Sequence, residues 1–542
     1  LLVLFTAVVL FTSQFAEAQS IEKKVDALFE KQYPADEPGA TVLIAKDGKV
    51  LYRKAFGMAN LELNVPMRPE HVFEIGSITK QFTSVAILML MEQGKLSLQD
   101  PISKYISDYP KGNEITIHHL LNHTSGIKSY TNMPSFISQA PLDKTPMELI
   151  HVFRNEPMEF SPGEKYAYNN SGYILLGYII EEASKMSYED FVQKNIFTPL
   201  GMKNSYYGSK TKLIPNRASG YQPIEDKTYR NADYLSMTLP YAAGSLMSTV
   251  DDMLLWNKAI HTNTLISEKS KQLAFTNYTL NNGKPMYYGY GWSPNEIAGS
   301  PTVEHGGGIF GYTTSGIYVP KENVYTIVLT NTTGKSPETV SLPATAIALG
   351  KPINDKPALQ LSESAMQQWV GAYQFEDVVR FITYTDGNLY SQREGGQALK
   401  LIAVSENEYQ FEDSFTTYAF TKESGKRVAN FADRIIKGKG LETEYTPKPE
   451  KESIAVAESI LKTYTGTYEL QAGFVVNVTT ESDQIFVQLT GQPRFEIFAE
   501  TPETFFLKVV EAKITFNKNT AGGVKSLTLY QGGQVMEAAK IK

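Results

Sequence analysis

Val72-Phe-Glu-Ile-Gly-Ser77-Ile-Thr-Lys80-Gln-Phe-Thr-Ser-Val-Ala-Ile-Leu-Met-Leu-Met91 sets Ser-x-x-Lys at the mouth of a helix that is apolar nearly all the way round. A helix hydrophobic on every face belongs in a domain core. Residues at i and i+3 share one side of it, so the Lys80 amine can reach the Ser77 hydroxyl. A serine hydroxyl is a poor nucleophile until a neighbour takes its proton, and this pair supplies both parts. Ser-x-x-Lys also begins at Ser20, Ser125, Ser209 and Ser459, but of the five only Ser77 opens a long apolar helix, one that starts after Gly76 and is stopped by Gly94.

Outward from this helix, residues 21–33 carry helical periodicity, and Ala40–Ala45 and Lys49–Arg53 read as strands joined by Asp47-Gly48, a strong hairpin signal. Helical patterns dominate from Ser77 to about Leu200, and strands return at Gly289–Trp292, Thr313–Val319 and Val324–Asn331. Strands at both ends of a helical middle predict an α+β domain with an antiparallel sheet, spanning residues 19–350. Beyond Gly350 the chain changes to short alternating strands broken by Asp-Gly and Gly-Gly turns, and the pattern occurs twice. Trp369-Val-Gly371-Ala-Tyr373 and Tyr464-Thr-Gly466-Thr-Tyr468 each precede several strands, with the polar, proline-bearing segment 446–452 between them. Two small all-β modules, barrels or sandwiches, are predicted at residues 360–445 and 455–542.

A length of 542 residues implies two or three domains. With 42% hydrophobic and 20% charged residues and a net charge of −7, the composition is that of a globular protein, and no basic run offers a nucleic-acid surface. The apolar run Leu1–Ala18 ends in Ala16-Glu-Ala18, a small-x-small pattern that predicts a signal peptide cut after Ala18. The expectation is a periplasmic or secreted protein with no stable membrane anchor after cleavage. The absence of cysteine excludes disulfides, thiolate metal sites and a lipidated cysteine. His119 and His123 stand at helical i, i+4 spacing beside His118, a pattern that can hold zinc, but no further ligand cluster accompanies them and no metal or cofactor is expected. No Walker or dinucleotide glycine motif lies in a strand-to-helix context, and Met89 and Met91 read as core packing.

Two further constellations lie downstream. Pro162-Gly-Glu-Lys-Tyr-Ala-Tyr168-Asn-Asn170 places Tyr-x-Asn on a loop that feeds another apolar helix, and His305-Gly306-Gly307-Gly308 sits just before a predicted strand. Ser-x-x-Lys, Tyr-x-Asn and His-x-Gly in this order resemble the three active-site elements of the penicillin-recognising serine hydrolases, the superfamily of class C β-lactamases, D-alanyl-D-alanine carboxypeptidases, D-aminopeptidases and related esterases. The segments Ile117–Ile127, Pro199–Met202 and Ala243–Asp251 resemble the same superfamily, so the likeness spans about residues 21–335.

The resemblance implies a β-lactamase/transpeptidase-like catalytic domain and roles for particular residues. Ser77 would accept the acyl group, and Lys80 and Tyr168 would share the proton traffic, with the identity of the base left open. Asn170 would bind the substrate amide and help place Lys80. Ser77 and Gly308 would supply the backbone N–H groups of an oxyanion hole, with Gly307 and His305 lining the substrate site. Two departures stand out. His305 replaces the lysine of the usual Lys-Thr-Gly, which lowers the expectation of efficient β-lactam hydrolysis, because a histidine is charged only part of the time near neutrality. Asn169 replaces the usual alanine or serine, at a position read as permissive. The implied activity is hydrolysis, through a Ser77 acyl-enzyme, of peptides or amides containing D-amino acids or of related esters. A β-lactamase, or a penicillin-binding sensor that acylates without efficient turnover, is the alternative.

Overall fold

The computed structural model describes residues 21–541 apart from 226, 354–356, 377, 395, 413, 445–452, 472–473, 490–493, 509–511, 520–521 and 532–533. The signal-peptide segment Leu1–Ala18 and the linker 446–452 lie outside the described residues. One compact unit ends at Pro352 and a second begins at Ile353.

The first unit is built on a six-stranded antiparallel sheet. Its strands are β1 (Ala40–Lys46), β2 (Lys49–Phe56), β3 (Ser293–Ile297), β4 (Ser300–Ile309), β5 (Tyr312–Val319) and β6 (Val324–Thr330), in the order β3-β4-β5-β6-β1-β2. The predicted hairpin between β1 and β2 turns at Asp47 and Gly48, both with positive φ (51° and 70°), as a two-residue turn of matching twist requires. From β1 the side chains of Val42 and Ile44 enter one core, with Val25, Phe29 and Val340, while Leu43 and Ala45 enter another, with Phe82 and Trp256. The sheet is therefore covered on both faces, and this is why Ala40–Ala45 is an uninterrupted buried run rather than an alternating one.

Residues 289–292 are not a strand, contrary to the sequence expectation; pairing begins at Ser293. The cause is a close backbone approach. Gly291 has φ +80°, and a Cβ there would sit 2.9 Å from the Lys80 carbonyl oxygen, while one at Gly289 would sit 2.1 Å from that of Ala274. The segment packs edge-on against the helix that carries Lys80 instead of extending the sheet.

That helix, α1 (Thr79–Glu92), is buried from Thr79 to Leu88 and again at Leu90. It is flanked by α2 (Asn170–Ser184), while α3 (Val250–His261) and α4 (Glu338–Ala348) pack on the sheet. Among the described residues no helix is long and apolar enough to cross a membrane.

The second unit holds two closed eight-stranded barrels, with strands spanning Gly371–Thr443 and Gly466–Lys540. Each is preceded by a short helix, Glu363–Gln367 and Glu458–Tyr464, and each buries one tyrosine in the same way. The Tyr373 hydroxyl donates to the Trp369 carbonyl at 2.7 Å, and the Tyr468 hydroxyl donates to the Tyr464 carbonyl at 2.7 Å.

Candidate active site

Ser77 sits in a tight 3-10 turn, Gly76–Ile78, that leads directly into α1. The turn is pinned from before and behind. Phe73 pairs with Ser248 and Glu74 with Met247, and the Ile75 carbonyl accepts from the Thr314 hydroxyl of β5 at 3.1 Å. Gly76 has φ +51°, and a Cβ there would lie 3.0 Å from the Gly308 nitrogen. From the other side, a Cβ on Gly307 would lie 2.2 Å from the Ile75 carbonyl oxygen and 3.1 Å from the Ser77 nitrogen. Only chains without side chains at these two positions let the end of β4 rest on the serine turn, which brings the Ser77 and Gly308 backbones together.

Lys80, one helical turn on, is fully buried. Its Nζ lies 3.0 Å from Ser77 Oγ, 2.9 Å from Asn170 Oδ1 and 2.9 Å from the Ala243 carbonyl oxygen. Burial without a neighbouring carboxylate holds its ammonium well below the ordinary lysine value. The partner set fits the neutral amine. Asn170 Oδ1 and the Ala243 carbonyl can only accept, so they take the two N–H groups, and the lone pair is left facing a hydroxyl that can donate.

Asn170 is the first residue of α2, and its amide is fixed at both ends: Oδ1 faces Lys80 while Nδ2 donates to Thr131 Oγ1 at 3.0 Å. Its predecessor is not permissive, as the sequence reading had it. Asn169 is the buried cap of α2, its Oδ1 accepting from the Gly172 N–H at 2.8 Å, its Nδ2 donating to the Ile127 carbonyl and its own N–H donating to His123 Nδ1 at 3.1 Å. An alanine would keep the bond to His123 but leave the Gly172 N–H and the Ile127 carbonyl without their side-chain partner.

Tyr168 stands over the lysine, with Lys80 Nζ 4.8 Å from its ring centroid. Although the ring is 39% exposed along the cleft, the protein packed around its hydroxyl raises the phenol pKa; a hydrogen bond with Ser77 opposes this, and Tyr173 and Tyr166 add to it. The phenol therefore rests protonated.

His305 is buried, and its Nδ1–H donates to the Gly306 carbonyl at 2.5 Å while Nε2 accepts from the Tyr288 hydroxyl at 2.8 Å. Burial first, and the neighbouring Lys80 in its charged form second, push it down to about 4. The sequence reading treated this histidine as partly charged; its surroundings make it a neutral imidazole near pH 7. His123 is a packing ring among Tyr168, Tyr173 and Tyr288, with centroids 4.4, 5.2 and 4.7 Å away. His118 binds the Tyr290 hydroxyl, and His119 accepts the Thr116 N–H in a capping box, so the three histidines face different partners.

Ser77, Tyr166, Tyr168, Tyr288, Ser293 and residues 305–308 line an open cleft of about 310 Å³. Every site residue expected from the sequence thus lies in one place: Ser77, Tyr168, His305, Gly307 and Gly308 on the cleft wall, Lys80 and Asn170 directly behind the serine. Sequence reasoning missed Thr131, Tyr288 and the Ala243 carbonyl. Only Ala243 had a signal, since it opens one of the segments that carried the resemblance.

Residues 25–350 match the protein-family model described as Beta-lactamase. The chain belongs to the β-lactamase family. Residues 450–540 match a second model, a domain of unknown function named DUF3471. Among curated relatives, a penicillin-binding protein of Bacillus subtilis (strain 168) is 27% identical over 543 residues, covering 97% of this chain and 100% of the relative. A D-aminopeptidase of Gluconobacter oxydans (strain 621H) is 27% identical over 345 residues, which cover 63% of this chain and 64% of that protein. The octameric penicillin-binding protein homologue from Pyrococcus abyssi superposes with a TM-score of 0.55 at 28% identity, over 78% of this chain and 99% of that one. A D-amino acid amidase from Ochrobactrum anthropi SV3, at 22% identity and TM-score 0.52 over 58% of this chain and 92% of its own, shares the fold. This β-lactamase-family chain is a serine hydrolase.

Proposed function

We propose that the protein is an exported hydrolase of D-aminoacyl amides, peptides and related esters that works through an acyl-enzyme on Ser77, with Lys80 as the base. The observation that carries this reading is the partner set of Lys80: two acceptor-only groups and the Ser77 hydroxyl, around an amine whose charge is suppressed by burial. In acylation, Lys80 takes the Ser77 proton as Oγ attacks the carbonyl carbon. The resulting oxyanion is held by the backbone N–H groups of Ser77 and Gly308. Tyr168, protonated at rest and beside the serine, gives its proton to the departing nitrogen or oxygen and is reprotonated from Lys80. A water then retraces the path, losing its proton to the same pair as it attacks the ester carbonyl, and Ser77 leaves with a proton.

The D-amino-acid preference rests on the relative named D-aminopeptidase, and export on the apolar segment Leu1–Ala18. A fluorophosphonate probe followed by peptide mapping tests the nucleophile: labelling confined to Ser77 and abolished in Ser77→Ala is expected, and labelling undiminished in that variant refutes the assignment. Turnover of D-aminoacyl amides, short-chain nitrophenyl esters and a chromogenic cephalosporin tests the substrate class. A second reading, a penicillin-binding sensor, is favoured by the relative that matches along its whole length. A burst of acylation by the cephalosporin followed by negligible turnover of the whole panel would select it.

A further inference from the structure

The charge pattern around the cleft deepens the reading just given, and rests on it. Among the described residues that line the cleft, none carries an ionised side chain near pH 7: the walls are tyrosines, serines, glycine backbone and the neutral His305. Lys80 lies behind Ser77, fully buried and surrounded by three partners, so it offers no charge to a ligand in the cleft.

The strand edge at Gly306 is different. Gly306 lines the cleft and has no side chain, and a Cβ built on it would lie 3.3 Å from the Thr314 carbonyl oxygen and 3.6 Å from Glu338 Oε1. Glu338 is the exposed first residue of α4, whose body is held against β5, β6 and β1. Its carboxylate thus stands beside the Gly306 edge of the cleft, one residue along the strand from His305, the position at which a lysine-bearing motif carries a positive charge. Gly306 lies two residues from Gly308 along β4, about 7 Å at the usual rise of a strand, so a group a few bonds from the scissile carbonyl reaches it. The rings of Tyr166 and Tyr168, 37% and 39% exposed, add faces that suit a cation and do nothing for an anion.

We propose that Glu338 is a specificity-determining residue, selecting substrates whose group beside Gly306 is an ammonium and rejecting those with a carboxylate there. A carboxylate in that place would be desolvated against aromatic walls and set beside a like charge, both unfavourable. An ammonium would gain a charged acceptor.

The test uses the full-length protein and follows Ser77 labelling by an uncharged fluorophosphonate in the presence of four competitors. These are N-acetyl-D-alanyl-D-alanine amide, which is neutral; its C-terminal acid; its aminoethyl-amide analogue, cationic on the leaving side; and D-alanyl-D-alanine amide, cationic at the amino end. Expected for the wild type is protection by at least one ammonium compound at a concentration tenfold or more below that needed for the acid, with the neutral compound between them. In Glu338→Gln the difference between ammonium and neutral compounds should fall to within about twofold, and in Glu338→Lys the acid should become the better protector. Each variant's labelling without competitor is the reference against which its own protection is read. An order of protection unchanged in Glu338→Lys, the acid protecting best in the wild type, or no protection by any of the four would overturn the proposal. Failure of the wild type to label at Ser77 would instead overturn the acyl-enzyme reading beneath it.

Discussion

Replacing Asn170 by aspartate alters one atom's charge next to Lys80 and little else in shape. Nζ lies 2.9 Å from Asn170 Oδ1, and the Thr131 hydroxyl on the amide's other side can turn from acceptor to donor to serve the new carboxylate. Unit charges at that separation attract by about 6 kcal/mol at an effective dielectric of about 20. Measured shifts from a neighbouring opposite charge are smaller, about 1 to 3 pKa units, and about 2 is a working figure. The sign is set by which form is favoured: the carboxylate stabilises the ammonium, so the lysine pKa rises and a higher pH is needed to free the amine. The ascending limb of kcat/KM against pH should therefore move up by about 2 units in Asn170→Asp. At pH values below both limbs the variant should be about 10²-fold slower, about 1.4 kcal/mol for each tenfold, and it should recover toward the wild-type plateau on the alkaline side. The assay is a pH series of nitrophenyl ester hydrolysis, with circular dichroism to show that the fold is kept. A limb that stays in place while the rate falls equally at all pH values would mean that Lys80 does not act as the base.

Three other outcomes follow from the same geometry. Lys80→Ala and Tyr168→Phe should each lower turnover by about 10² to 10⁴, and the double variant should be no worse than about the poorer single one, because both serve one proton-transfer unit; additive losses in steady-state kinetics would separate them. Gly307→Ala should lose Ser77 labelling and about 1–3 kcal/mol of stability, since its Cβ would meet backbone at 2.2 Å, whereas Gly308→Ala, with nothing within 4 Å of its Cβ, should stay within about 0.5 kcal/mol of the wild type in denaturant melts. Tyr373→Phe and Tyr468→Phe should each cost about 1–2 kcal/mol in denaturant unfolding, by orphaning a buried carbonyl, and leave the rate of Ser77 labelling unchanged.

Much of the fold was legible because its signals are local. The all-round apolar helix at Ser77, the Asp47-Gly48 turn and the doubled Gly-x-Tyr pattern each report the periodicity or backbone need of one element. What escaped was set by distant neighbours. Gly289–Trp292 has the composition of a strand, yet its backbone bonds to itself and to the Ala274 carbonyl, and no local pattern reports that contact. Asn169 looked permissive because, apart from the local cap on Gly172, its bonds to Ile127 and His123 cross gaps of more than forty residues. Tyr288 and Thr131 are single polar residues with no repeating context, brought to His305 and Asn170 by the fold alone. The state of His305 depended on burial, which decides charge and which a residue's type does not disclose.

The closure of both barrels limits how the second unit can meet other molecules. In an open sheet the border strands keep half of their backbone groups unpaired, and a foreign extended segment can dock there simply by continuing the ladder. Here the first and last strands pair with one another in each barrel, Tyr373 with Glu442 and Tyr468 with Lys540, so among the described residues neither barrel has such a border. Whatever the modules contact must be held by side chains on their outer walls and by the turns at their ends. Those turns tolerate changes of length and composition without disturbing the ladder, so recognition can diverge between relatives while each barrel remains a fixed support.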